Sequence, residues 1–397
     1  MEHALPYNCN VQILISAGEA SSEMYGAQLI EALRARDPKI SFFGAGGERM
    51  RAAGCDIVVD AKDLAVVGIT EIVSHLPKIL GLYKKLIRAA DERHPDLAVV
   101  IDSPAFNWRV ARQMRKRGIP VVYYVCPQFW AWRQGRVKLL RKYVNKALVI
   151  FPFEEKFYRD RGVDATFVGH PLADLPMPEV TRAEYAEQHG LDPAKPWITL
   201  MPGSRRKEVR MNLETIVDAS LLLGGQYEYL LPIAPTLDRE FLSREMIGTS
   251  DDSSPRTELP NIHLVPDALP PLRHSRAAIV ASGTATVEAA IMGTPFVMVY
   301  RVSPLTYALG KPRVKVAHYA MVNLIAGEEV VPELVQAKFT AANILGELNK
   351  IIPDGEPRTR MIDGLAGVKA KLKQGNDGEH PSEKAADIIL TMLGKGG

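Results

Sequence analysis

Four short stretches of the chain hold residue types that could do chemistry. The first, 16-SAGEASSEMYG-26, sets small residues before a helix, so that a substrate can approach the backbone and meet helix N–H groups. Glu19, Ser21 and Glu23 supply oxygen ligands there, although a carboxylate beside a helix start is also a common cap. The second, 99-VVIDSPAF-106, places Asp102 at the carboxyl end of a strand. A carboxylate in that place can take a proton from a hydroxyl, or it can cap the helix that follows, and the spacing alone leaves both open. The third, 200-LMPGSRRKEVRMN-212, turns at Pro202, Gly203 and Ser204 and sets Arg205 where its guanidinium can fork onto a diphosphate. The fourth, 277-AAIVASGTATVEAAIMGTPFV-297, runs strand, small-residue turn, helix, strand. Its Ser282, Gly283, Thr284 and Ala285 open a helix toward an anion, and Glu288, one turn on, can accept from ribose hydroxyls. Two such loops on consecutive units of one sheet describe a nucleoside-diphosphate pocket.

Other chemistries lack their signatures. There is no GxxxxGK[ST], no GxSxG and no HExxH. In 44-GAGGER-49 an arginine, Arg49, stands where a dinucleotide fingerprint needs its last glycine. No DxD pair is present to clamp a metal, so arginine and helix dipoles are left to neutralise a diphosphate. The cysteines, Cys9, Cys55 and Cys126, are odd in number and far apart, which suits a reducing cytoplasm and shows no zinc spacing.

The elements that must position these stations read as parallel α/β layers. Apolar runs at 11–16, 40–44, 97–102, 120–125, 146–151 and 165–169 alternate with helices expected at 22–35, 47–53, 70–92, 106–117 and 153–161. A second series runs through 197–202, 228–234, 261–266, 277–282 and 296–300, with a polar surface loop at 248–260 and two or three helices from 338 onward. The division expected is an N-terminal domain at 1–170, a proline-bearing linker at 171–195, a second domain at 196–337, and helices at 338–397 that can pack back on the first domain. Two doubly wound, Rossmann-like domains would then face a cleft, with ligands at the carboxyl ends of strands.

The net charge of +3 over 397 residues conceals an asymmetry. Residues 1–170 carry 25 Lys+Arg and 18 Asp+Glu, and residues 78–146 carry 16 against 4. That excess implies an anionic partner such as phospholipid, sugar phosphate or nucleic acid. The stretch 126-CPQFWAWRQGRVKLLRKYVNK-146 adds aromatics to basic residues, as base stacking or an ordinary amphipathic helix would. The segment 64–90 is apolar on a broad face and ends in Lys84, Lys85 and Arg88, as a surface for acyl chains and headgroups or a core helix would. No apolar run reaches the ~18 residues of a membrane-spanning helix. The N-terminus lacks the pattern of a secretory signal.

Taken in order, 17-AGEASSE-23, 64-LAVVGITEI-72, 101-IDSPAFN-107, 130-WAWRQGRV-137, 151-FPFE-154, 169-GHPLAD-174, 202-PGSR-205 with Glu208, 281-ASGTATVE-288 and 321-MVNLIAG-327 give a chain that resembles the lipid A disaccharide synthase family. These are inverting glycosyltransferases of the GT-B type. The resemblance implies transfer of 2,3-diacylglucosamine from its UDP conjugate to 2,3-diacylglucosamine 1-phosphate, giving a β-1′,6-linked disaccharide and UDP. It makes Asp102 the general base, assigns Arg205, Ser282 to Ala285 and Glu288 to UDP, and turns Asn323 toward the diphosphate. Val66, Val67, Ile69, Ile72 and Val73 would receive acyl chains, and the 78–146 stretch would serve the acceptor phosphate and an anionic bilayer. No metal and no cofactor are implied. The site of action would be cytoplasmic, peripheral on the inner face of the inner membrane, with no nucleic acid as partner and homodimerisation left open. The family loop reads Gly-Glu-x-Ser-Gly-Asp, whereas Ser22 and Glu23 hold its last two places here, and Ala105 stands where a second acid often follows. Two other readings of the same architecture are a non-catalytic UDP- or lipid-binding protein and a UDP-sugar epimerase.

Overall fold

A computed structural model describes residues 11–18, 20–64, 69–247, 261–311, 314, 316–373 and 379–395. The loop expected at 248–260, together with Glu19, Val66 and Val67, lies outside the described residues, as do the side chains of Ser21, Ile69, Ile72 and Val73. The chain divides into two compact units, 1–171 with 373–397, and 172–372.

The first unit is built on seven parallel strands: β1 (Gln12–Ala17), β2 (Ser41–Gly46), β3 (Cys55–Asp60), β4 (Leu97–Ile101), β5 (Val121–Tyr124), β6 (Lys146–Val149) and β7 (Ala165–Phe167). Their order is β3-β2-β1-β4-β5-β6-β7, so the winding reverses between β1 and β4. Every residue of β4 and β5 is buried, as continuous apolar runs in a sheet covered on both faces require. The connecting helices are α1 (Ala20–Arg36), α2 (Glu48–Ala52), α3 (Ala61–Leu64), α4 (Ile69–Arg93), α5 (Pro104–Lys116), α6 (Val137–Tyr143) and α7 (Pro152–Arg159). α4 buries Leu86, Ala89 and Ala90 and exposes Lys84, Lys85 and Arg88.

The second unit has six parallel strands, β8 (Trp197–Met201), β9 (Glu228–Pro232), β10 (Ile262–Val265), β11 (Ala277–Ala281), β12 (Phe296–Tyr300) and β13 (Glu333–Val335), in the order β10-β9-β8-β11-β12-β13. Here the reversal falls between β8 and β11. Its helices are α8 (Arg182–His189), α9 (Arg206–Leu223), α10 (Arg239–Ile247), α11 (Leu269–His274), α12 (Thr284–Met292), α13 (Pro304–Gly310), α14 (Met321–Ala326), α15 (Ala341–Ile351) and α16 (Glu356–Lys373).

In place of the linker expected at 171–195, this segment builds part of the second unit. Thr181 and Glu184 form a reciprocal capping box that starts α8, and Tyr185, Ala186 and Leu191 enter a core with Trp197, Leu230 and Val265. Arg182 lies 3.9 Å over the Trp197 ring and donates to the carbonyls of His274 and Lys195 at 2.5 and 2.6 Å. The prolines mark a segment without sheet pairing, not one without a core. Of the tail helices, α15 packs against α9, whereas α17 (Pro381–Met392) packs on α1 of the first unit. Arg36 pairs there with Asp387, and Lys395 with Asp37 at 2.6 Å.

Candidate active site

Asp102 follows the last residue of β4, at the point where the first sheet reverses its winding, the usual place for a ligand in an open α/β sheet. Its backbone is left-handed, φ 46°, and so is that of Ser103, φ 43°, the N-cap of α5. Two consecutive non-glycine residues in that region store strain that neighbours must hold. The neighbours are identifiable. The Asp102 carbonyl accepts from the Tyr123 hydroxyl at 2.8 Å and from Asn107 Nδ2 at 2.9 Å. Asn107, fully buried, also donates to the carbonyls of Ile101 and Ser16 at 2.8 and 3.1 Å, and its Oδ1 accepts from Ser16 Oγ at 2.6 Å. One amide thus ties the end of β1 to the end of β4. The Ser103 hydroxyl, at the N-cap of α5, makes no capping bond.

On the loop after β1, Ser22 and Glu23 lie inside α1, with ordinary helical backbone. The freedom of a glycine is therefore not required at position 22. Glu23 Oε1 accepts from the Arg49 N–H at 2.8 Å and so caps α2, whose own N-cap, Gly47, offers no side chain. A Cβ on Gly47 would meet the Glu23 carboxylate at 2.6 Å. The carboxylate expected to serve a substrate is held by the scaffold.

Residues 126–154 supply a feature that residue types did not disclose. Glu154 is 1% exposed. Its Oε1 accepts from Trp130 Nε1 at 2.8 Å, and its Oε2 from the N–H groups of Ile150 and Phe151 at 3.1 and 3.0 Å. Burial pushes its carboxyl up to about 7, against the pull of these three donors. Trp130 packs edge-on against Phe153 at 4.9 Å, and Phe151 lies 5.1 Å from the buried His170. Burial pushes the His170 imidazole down to about 3. Three of the sequence blocks, at 130, 151–154 and 170, thus meet in one interior cluster.

In the second unit, β8 and β11 are paired neighbours, with Met201 opposite Val280, so the loops at 202–205 and 282–285 leave the same edge at the reversal of winding. Gly203 has φ 127°, and a Cβ there would meet Glu208 Cβ at 2.7 Å. Glu208 Oε2 accepts from the N–H groups of Ser204 and Arg205 at 3.2 and 3.3 Å, and Oε1 pairs with Arg205 Nη1 at 3.3 Å. The helix-start donors here are therefore held by a carboxylate, which also aims the largely exposed Arg205 guanidinium. At the other loop the N–H groups of Gly283, Thr284 and Ala285 make no hydrogen bond among the described residues. Glu288 is half-buried, and burial raises its carboxyl above the ordinary range.

Asn323 departs from its expected place. It is fully buried, and its amide is saturated: Nδ2 donates to the Val331 carbonyl and Glu333 at 2.9 Å each, and Oδ1 accepts from Val330 and Val331 N–H at 2.8 and 3.0 Å. It cannot turn to a diphosphate without giving these up. Its partner Glu333, on edge strand β13, accepts from the N–H groups of Tyr319 and Ala320, and the Tyr319 carbonyl accepts from Ser282 Oγ at 2.9 Å. Asn323 and Ser282 hold the 319–320 turn; nothing in the spacing of the sequence pointed to Glu333.

The basic residues of 78–146 are nearly all at the surface. Lys84, Lys85, Arg112, Arg115, Lys116 and Lys138 are exposed and form no ion pair among the described residues. No described helix is long and apolar enough to cross a membrane.

Residues 13–386 match the family model described as lipid-A-disaccharide synthetase. Among curated proteins the chain is 54% identical over 383 residues to the lipid-A-disaccharide synthase of Koribacter versatilis (strain Ellin345), covering 96% of this chain and 98% of that one. It is 41% identical over 389 residues to the lipid-A-disaccharide synthase of Myxococcus xanthus (strain DK1622), covering 97% and 98%. Among solved structures it is similar to the calicheamicin glycosyltransferase CalG4, with a TM-score of 0.59 at 18% identity over 97% of this chain and 99% of that one. A UDP-GlcNAc 2-epimerase from Neisseria meningitidis gives a TM-score of 0.58 at 12% identity over 97% and 99%. The structural likenesses establish the fold, which transferases and epimerases share; the sequence relatives separate the two.

Proposed function

Because the chain belongs to the lipid-A-disaccharide synthase family and is a glycosyltransferase, we propose that it works by single displacement, with Asp102 as base and the second unit holding the leaving group. The acceptor is 2,3-diacylglucosamine 1-phosphate and the donor UDP-2,3-diacylglucosamine. The acceptor 6-hydroxyl oxygen attacks the donor anomeric carbon from the face opposite UDP. As the new C–O bond forms, the bond from that carbon to the diphosphate oxygen breaks, and the hydroxyl proton passes to the Asp102 carboxylate. Inversion follows from the single displacement.

The observation that carries the assignment of Asp102 is its held left-handed backbone at the winding reversal of the first sheet. Two buried donors to its main-chain carbonyl keep the Asp102 backbone in a strained pose and so fix the Cα from which its carboxylate projects, which supports the preorganisation that base catalysis requires. The developing charge on UDP is met in this reading by Arg205 and by the unpartnered N–H groups of residues 283–285, and Glu288 accepts from a ribose hydroxyl. Glu208, Ser282 and Asn323 are positioning residues. The apolar 64–76 stretch and the exposed cations that follow it support a role in receiving acyl chains at an anionic bilayer surface.

Replacing Asp102 by Asn tests the assignment. Turnover falls by about a thousandfold if the side chain takes the proton, while UDP affinity is unchanged. Unaltered turnover removes Asp102 from the mechanism.

A further inference from the structure

A third strand of the second sheet reaches the edge from which the loops after β8 and β11 leave. β12 lies beside β11, with Val299 opposite Ala281. The Ser282 N–H donates to the Val299 carbonyl at 2.9 Å, so the ladder runs on into the turn and sets Tyr300, the last residue of β12, beside Ser282. The Tyr300 ring is half-buried and stacked on that of Tyr319, with centroids 6.0 Å apart and planes 29° from parallel. Tyr319 is itself held at three points. Its carbonyl accepts from Ser282 Oγ at 2.9 Å, its N–H donates to Glu333 at 2.9 Å, and its hydroxyl is hydrogen-bonded to Tyr307 of α13. The Tyr300 hydroxyl, by contrast, makes no hydrogen bond among the described residues. A phenol with an anchored ring and an open O–H is a placed donor. The strand order β8-β11-β12 leaves the 282–285 turn between Tyr300 and the start of α9. Burial first, and then the charge of Glu208 across that turn, raise the phenol above its ordinary value, so it stays protonated.

We propose that the Tyr300 hydroxyl donates to the diphosphate of the bound nucleotide and that Tyr319 is a positioning residue that holds the Tyr300 ring. This rests on the reading of the second unit as the leaving-group site, and it adds a neutral donor by which that site tells a nucleoside diphosphate from its nucleoside. The neighbouring groups favour the diphosphate over the base. One face of the Tyr300 ring is already taken by Tyr319, and the groups that share its edge of the sheet are anion donors: the Arg205 guanidinium, aimed by Glu208, and the unpartnered N–H groups of residues 283–285.

The test uses the full chain, with UDP titrated by calorimetry and uridine measured by displacement of UDP. Tyr300→Phe keeps the ring and removes only the hydroxyl. UDP is expected to bind about tenfold more weakly, the loss of one hydrogen bond to a charged group, and donor KM to rise with it. Uridine affinity and acceptor KM stay within about twofold. Tyr319→Leu, which removes the ring that Tyr300 rests on, weakens UDP about threefold and leaves uridine alone, whereas Tyr319→Phe, which keeps the ring face, stays close to wild type. In the Tyr300→Phe background Tyr319→Leu has no further effect, because no hydroxyl is left to place. An unchanged UDP affinity in Tyr300→Phe, or an equal loss for UDP and uridine, overturns the proposal. Additive losses in the double variant overturn the positioning role of Tyr319. Failure of the transfer reading looks different: the wild type yields no disaccharide, while the titrations still report whether Tyr300 carries the preference for the diphosphate.

Discussion

Asn107→Leu asks whether the pose of Asp102 is held or merely adopted. The substitution keeps the branched heavy-atom skeleton of a fully buried side chain, with somewhat bulkier methyl ends, and removes four hydrogen bonds at once: those to Ser16 O, Ile101 O and Asp102 O, and the one accepted from Ser16 Oγ. The Asp102 carbonyl keeps the Tyr123 hydroxyl, and the strand carbonyls keep whatever ladder bonds they make, so the groups left worst are the Ser16 hydroxyl and one side of the Asp102 turn. At about 1 to 3 kcal/mol for each stranded buried group, the variant should lose about 2 to 6 kcal/mol in chemical denaturation of the full chain. Two left-handed residues each hold about 1 to 3 kcal/mol of strain, so a turn with half its support removed relaxes, and the carboxylate moves with it. A displacement near 1 Å costs about a hundredfold in rate. Steady-state kinetics should therefore show kcat down about 10- to 100-fold with donor KM little changed. Ser16→Ala, which removes one of the four bonds, should cost about 1 kcal/mol and leave kcat within about twofold. A variant with the expected loss of stability but a kcat within twofold of wild type would refute the idea that Asn107 sets the catalytic pose.

Glu154 gives a pH signature. Its folded carboxyl titrates at about 7, above the ~4.3 of an unfolded glutamate, so the folded state binds the proton more tightly. Its contribution to stability is greatest below pH ~4 and is lost as pH rises through about 7; the unfolding free energy of wild type relative to Glu154→Gln should fall by roughly 3 to 4 kcal/mol across that window, and a flat difference would contradict it. Gly203→Ala places a Cβ against Glu208 at a φ of 127°, so calorimetry should find UDP bound about tenfold more weakly, the consequence of about 1 to 2 kcal/mol of backbone strain at the anion loop. Arg205→Lys should raise donor KM by about tenfold through loss of the fork; an unchanged donor KM would remove Arg205 from the leaving-group site.

The two parallel sheets were readable because buried strands are continuous apolar runs, and the strand-to-helix turns after β4, β8 and β11 were readable because proline, glycine and small residues punctuate the chain there. β3 was not legible: CDIVVD lies at the edge of its sheet, with exposed Asp56 breaking the apolar run. β13, three residues long, is shorter than any periodicity. The harder failures concern partners. Glu23, Glu208 and Asn323 carry the right atoms for a ligand, but the fold spends them on α2, on the 203–205 turn and on the 330–331 segment. Asn107 and Glu154 read as ordinary helix residues, and only the burial of each beside a second element shows what it holds. Residue type discloses which atoms can bind; the tertiary neighbours decide whether they are already bound.

The central claim is tested most directly by mass spectrometry of the products formed from synthetic UDP-2,3-diacylglucosamine and 2,3-diacylglucosamine 1-phosphate, with the wild-type chain and Asp102→Asn side by side. The expected result is UDP and a β-linked tetraacyl disaccharide 1-phosphate from the wild type, and product about a thousandfold slower from the variant. Equal rates from the two chains would contradict the account.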